Sequence, residues 1–166
     1  MDPDAIAALT DALRLDGPPC RFGSRGSLRR ELTDLVVAGT KTATAALLVE
    51  YEAEGDEVPT AGTRSAVIDD DEQLIGVLVT TRVEHLPLAE VFWEFADAEG
   101  EGFADVDDWR TQHERFWNRH SVPLVRELLD PRFSLDDATV VVCEWFVFEP
   151  LPEPVPWPGA PEVTVG

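Results

Sequence analysis

The order in which strand-like and helix-like segments alternate restricts this chain's fold more than any other feature. The segment "ATVVVCEWFVFEP" (138–150) is β-branched and aromatic almost throughout, as a strand packed in a sheet requires. "RSAVID" (64–69) and "LIGVLVTTRVEHL" (74–86), with a turn at "DDDEQ", read as a β-hairpin. Helical spacing lies on either side. Ile6, Leu9 and Leu13 follow Pro3, with Asp2 as N-cap; Leu28, Leu32, Leu35 and Val36 follow Ser27 and close at Gly39. Pro87 opens a helical segment through Val91, Phe92 and Phe95, and Trp109, His113, Phe116 and Trp117 lie along one face of a later helix. Residues 42–51 pass equally as a short helix capped by Thr42 and as a strand. Strands scattered between helices, without regular βαβ alternation, imply an α+β domain or a small barrel with helical insertions.

A length of 166 residues suits one domain that buries its apolar surface without disulfides or metals. Cys20 and Cys143 have no metal-ligand spacing and read as reduced thiols of a cytoplasmic protein. No apolar run approaches the ~20 residues needed to span a bilayer, and the acidic N-terminal stretch is unlike a signal peptide. A net charge of −20 disfavours non-specific binding of long nucleic acid, which needs a basic stripe. The densest basic patch is only Arg25, Arg29 and Arg30. There is no glycine-rich phosphate loop and no G-x-S-x-G elbow.

Candidate chemistry begins at "GTKTATAA" (39–46), which holds the single lysine, Lys41, against twelve arginines. Lys41 and Thr44 are three residues apart. On a regular strand they would face opposite ways, so a joint role requires a turn or a helix start there. A threonine hydroxyl becomes a nucleophile when a base removes its proton, and a lysine serves as that base only when desolvated. The alternative is a capping threonine beside a solvated lysine. "FADAEGEGFADVDDW" places Asp97, Glu99 and Glu101 in a glycine-punctuated loop, where carboxylates act as general acid and base, bind a divalent cation, or simply face solvent. No EF-hand or zinc-protease spacing is present, and His113 with Trp109 reads as a helix face packed on the core.

Four segments together resemble an ASCH domain over about residues 22–149. They are "LVVAGTKTATAALLVEYEAEGDEVPTAGTRSAVID", "VLVTTRVEHLPLAEV", "FADAEGEGFADVDDWRTQHERFW" and "VVVCEWFVF". The resemblance implies a PUA-like fold, a small β-barrel with surrounding helices, with residues 1–21 as a helical extension and 150–166 as a Pro-rich tail. It also implies similarity to bacterial amidohydrolases that act on N4-acylated cytidine without a metal or other cofactor. Their catalytic set falls here on Lys41, Thr44 and Glu99. Thr42, Glu101 and Arg110 are the expected substrate-binding residues; Ala45 and Ala46 stand where the small amidohydrolases carry an arginine, for which Arg64, Arg82 or Arg110 could substitute. The family equally includes proteins proposed to bind RNA or to act as ribonucleases, and a non-catalytic module for a modified base or a protein partner is a third reading. The expected partner is accordingly a small nucleoside or RNA, with no membrane association.

Overall fold

The computed structural model describes residues 3–158 and the backbone of residues 163–165. Helix α1 (Pro3–Ala12) precedes a short strand β1 (Cys20–Phe22) and helix α2 (Ser27–Val37). Strand β2 (Ala43–Leu47) runs directly into α3 (Leu48–Glu54), and β3 (Arg64–Ile68) pairs with the long β4 (Gln73–Pro87). A 3-10 turn (Leu88–Glu90), α4 (Trp93–Ala98) and α5 (Val106–Leu128) lead to β5 (Val140–Pro156), and β6 (Val163–Val165) ends the chain. Asp2, expected as the first N-cap, lies outside the described residues, as do 159–162 and 166 of the expected tail.

One mixed sheet carries the fold, in the order β2-β5-β4-β3-β1-β6. β2, β5, β4 and β3 are antiparallel neighbours, while β1 joins β3 and β6 in parallel. The α+β class holds, but the expected closed barrel does not: among the described residues β2 and β6 remain separate edges. The reason lies in the packing. Leu32 and Val36 of α2 share a buried cluster with Phe22 of β1 and Ala46 of β2, so the helix packs across the two ends of the sheet, which approach each other without pairing. The β4–β5 ladder is bent by register shifts at Leu74–Gly76 and at Thr80–Arg82. Such bulges bend a strand and increase its local twist.

The alternation of side chains on β2 and β5 separates two cores. Ala43, Ala45, Leu47, Val141 and Cys143 face α4 and α5 and pack with Phe95, Trp109 and Trp117. Ala46, Val142 and Phe146 point the other way, toward α2, Tyr51 and Leu78. A third cluster holds α1 against the sheet: Ile6, Leu9 and Leu13 cover Ala66, Ile68 and Leu74 beside the buried Trp157. Residues 150–156 are extended and continue β5, pairing Pro150 with Gly76 and Val155 with Leu74. No helix among the described residues is long and apolar enough to cross a membrane.

Two boundary details set up the site. Gly39, at φ 77°, stops α2 as expected of a residue just past the C-cap, whereas Gly26 and not Ser27 occupies the N-cap. The ambiguous 42–51 stretch resolves as strand then helix, with Thr42 one residue ahead of the strand rather than capping α3. Lys41 therefore stands between the end of a helix and the start of a strand.

Candidate functional site

Backbone bonds fix Lys41 from both sides. The amides of Thr40 and Lys41 both donate to Leu35 O at the end of α2, and Thr42 N donates to Ala98 O at the end of α4. The second bond draws the acidic loop against the lysine. Gly100 makes the approach possible: its φ is +65°, and a Cβ there would lie 2.2 Å from Thr40 O and 2.9 Å from Lys41 N. Glycine alone fits, and its turn places the flanking Glu99 and Glu101 around one ammonium. Gly100→Ala should therefore destabilise the fold by roughly 2–4 kcal/mol, the sum of a left-handed backbone and overpacking. A urea titration measures this; a loss below about 1 kcal/mol would show that the loop can move without cost.

The resulting cluster is buried. Lys41 is 1 % exposed and Glu99 0 %. Lys41 Nζ donates to Glu101 Oε2 at 2.8 Å and lies 3.5 Å from the Glu99 carbonyl oxygen and 3.7 Å from Glu99 Oε1. The ring of Phe22 stands 6.0 Å from the same nitrogen. Trp109 Nε1 donates to Glu99 Oε2, which also meets His113 Nε2 at 3.1 Å. The other ring nitrogen, Nδ1, is 2.9 Å from Trp109 O. A carbonyl oxygen only accepts, so Nδ1 carries a hydrogen; Nε2 facing a carboxylate then calls for a second one. His113 is accordingly an imidazolium paired with Glu99.

The electrostatics agree with that geometry. Burial pushes the Glu99 carboxyl up, but His113 and Lys41 beside it outweigh the burial and hold it below the usual carboxylate range. Burial likewise lowers His113, and the adjacent Glu99 overcomes this and raises it above an ordinary histidine. Two cations and two carboxylates thus neutralise one another in the interior. Oε1 of Glu99 is the exception to complete hydrogen bonding, being fully buried without a donor. Lys41 Nζ lies 3.7 Å from it, an ion-pair contact longer than a hydrogen bond.

Glu99, Glu101 and His113 bring ligand atoms within 4.8 Å of one another, the spacing of a metal-binding triad. Lys41 Nζ, however, already places a positive charge against both carboxylates. A divalent cation would have to displace it, so the donor set fits a lysine-centred site better than a metal centre.

The cluster opens to a cleft of about 360 Å³ through Glu101 and His113. Leu28, Leu32, Phe103 and Phe116 form its apolar walls. Small-molecule sites begin at roughly 300 Å³, so the cleft is of ligand size.

Of the residues expected from the sequence, Lys41, Glu99 and Glu101 come together directly. Thr44 does not stand beside the cleft. It is 1 % exposed within β2, directly opposite Glu144 of β5. The requirement that 41–44 avoid a regular strand is met at Lys41 and Thr42 but not at Thr44. Thr42 Oγ1 donates to Ala98 O and helps hold the acidic loop. Arg110 is engaged by Glu114 and Asp137, Arg64 by Glu149, and Arg82 by Glu84 and the face of Trp145; none of the three lines the cleft. His113 was read as a core residue, which it is, yet it also holds Glu99. Its signal was the four-residue spacing from Trp109, which stacks the imidazole 4.3 Å from the indole centroid and aims both rings at one carboxylate.

Comparison with known proteins agrees with this architecture. Protein EF3133 from Enterococcus faecalis has a similar structure, with TM-score 0.71 and 28% identity over 87% of this chain and 85% of that one. An ASCH domain from Lactobacillus crispatus also superposes at TM-score 0.71, with 22% identity over 89% of this chain and 95% of that one. A mutant of the ZmASCH protein from Zymomonas mobilis is more distant, at TM-score 0.51 and 10% identity over 84% and 76%. No curated protein matches. The family model described as the ASCH domain matches residues 19–149, most of the length, and the chain belongs to the ASCH domain family.

Proposed function

We propose that this ASCH protein is a metal-independent amidohydrolase acting on an N4-acylated cytidine or a related modified nucleoside. The observation that carries the reading is the buried Lys41–Glu99–Glu101–His113 cluster at the base of a ligand-sized cleft. Amide hydrolysis needs a donor for the developing oxyanion and a group that carries a proton to the departing amine. Lys41 Nζ, a donor held in place by fixed acceptors, suits the first task. Glu99, with one oxygen free to take a proton, suits the second.

On the threonine route, which requires the acyl group to reach β2 beyond the cleft lining, the Thr44 hydroxyl attacks the acyl carbonyl carbon and its proton passes to Glu99. Collapse of the tetrahedral intermediate breaks the C–N bond, and that proton leaves with the exocyclic amine of cytidine. Water then hydrolyses the acyl-threonine to release the carboxylic acid. A second reading is favoured by the position of Thr44 away from the cleft: water held by Glu101, the cluster carboxylate that lines it, attacks directly.

Incubation with N4-acetylcytidine followed by intact mass spectrometry separates these routes. The threonine route predicts an enzyme one acetyl group heavier and a loss of roughly 10²-fold or more in Thr44→Ala. Unchanged turnover in that variant assigns the attack to water. RNA cleavage with no release of cytidine would instead favour the nuclease reading.

A further inference from the structure

The cleft has a cationic pole that hydrolysis of an uncharged nucleoside leaves unused. Arg115 and Arg119 line it from α5, and both side chains are exposed. Among the described residues, neither guanidinium makes a hydrogen bond or an ion pair. In a chain with 33 acidic and 13 basic residues, two unpaired guanidiniums facing one cleft are a local concentration of positive charge. Arg21, Arg30, Arg64, Arg82 and Arg110 each meet a carboxylate. Four residues apart on a helix, two like charges also repel each other, and an anion seated between them would relieve that repulsion.

The spacing suits a nucleotide. Arg119 stands six residues beyond His113 on α5, about 9 Å along the helix axis. This is near the reach from a base's exocyclic amine to a 5′-phosphate. Between the two ends lie Phe103, Phe116 and Leu28, apolar surface on which a base and sugar can rest. Paired guanidiniums are a good phosphate receptor because their planar N–H forks match its oxygens.

We propose that the cleft takes a nucleoside that bears a phosphate, with the phosphate on Arg115 and Arg119 and the base toward Glu101 and His113. This deepens the amidohydrolase reading by naming its substrate class, although the phosphate pole rests on the two arginines alone. The phosphate can belong to a free mononucleotide or to an RNA strand.

Calorimetric titration with cytidine, cytidine 5′-monophosphate, a short oligocytidylate and inorganic phosphate tests it. The monophosphate should bind roughly 10- to 100-fold more tightly than cytidine, the worth of charge-assisted bonds to one phosphate. The Arg115→Ala/Arg119→Ala double variant should keep its melting temperature, because both side chains are exposed, and should lose that advantage. Tighter binding of the oligonucleotide than of the monophosphate assigns the phosphate to RNA; equal or weaker binding assigns it to the free nucleotide. Phosphate binding that depends on the arginines, with no added affinity from a base, would retire the nucleoside reading and leave the anion site standing. Equal affinity for cytidine and its monophosphate, or a preference that survives in the double variant, would overturn the proposal.

Discussion

Replacing Lys41 by methionine should destabilise the protein by about 3–5 kcal/mol, the cost of removing one partner from a buried ion pair. At 166 residues this corresponds to a fall of roughly 6–20 °C in melting temperature. The cause is the charge left behind. Without the ammonium, Glu99 and Glu101 face each other with only His113 to compensate. Methionine keeps most of the side-chain volume beside Phe22, so the loss reports charge rather than a cavity. The pH dependence identifies the mechanism. In the wild type Glu99 titrates below its ordinary range, so its contribution is present above that range and is lost as pH falls through the folded value. In the variant, burial without Lys41 raises the Glu99 carboxyl, so the difference between the two proteins should be largest near pH 8 and shrink toward pH 4. A difference independent of pH would point to packing instead. His113 acts in the opposite sense: its raised value means that its stabilisation is complete below about pH 6.5 and is lost as pH climbs through the folded value.

Glu144→Gln should stabilise the protein by an amount that grows from pH 4.5 and is complete above about pH 7. Glu144 is buried on the opposite face of β5 from the Trp109 core, and burial pushes its carboxyl from 4.5 up to about 7 despite the hydrogen bond from Thr80 Oγ1 at 2.7 Å. A folded carboxyl that holds its proton more tightly than the unfolded one costs stability as pH rises from 4.5 to about 7. Above that window the whole cost, on the order of 3 kcal/mol, is in place. Glutamine keeps an oxygen to accept from Thr80 and carries no charge. Its melting temperature should exceed that of the wild type by roughly 6–12 °C at pH 8 and match it near pH 4.5. Equal or lower stability of the variant at pH 8 would mean that the Glu144 carboxylate has a partner that offsets its burial.

How much of this the sequence carries differs from residue to residue. The α+β class follows from strand and helix periods that survive in the structure, and Gly39 marked the end of α2 correctly. The open sheet did not follow. Closure depends on whether β2 and β6 pair, and these are short segments whose partners lie far away in the chain. Lys41, Glu99 and Glu101 were legible through the family motif, because Gly100 between the carboxylates fixes a local turn. Thr44 was half legible. The spacing from Lys41 is as the motif has it, but a strand that begins at Ala43 turns its hydroxyl into the sheet interior, on the side of Glu144. His113 was hidden by its own surroundings, since a histidine among tryptophans at helical spacing reads as core whether or not it also binds a carboxylate. Arg115 and Arg119 had no signal beyond an ordinary exposed helix face. Their meaning comes from the cleft onto which α5 turns them both.

The role proposed for the Lys41 cluster is that of a hydrolytic centre. Chromatographic assay of N4-acetylcytidine with the wild type and with Lys41→Met, run below the melting temperature of both, addresses it most directly. The wild type should release cytidine and acetate in equal amounts, and the variant should do so at a rate lower by roughly 10²-fold or more. Equal rates in the two folded proteins would contradict it.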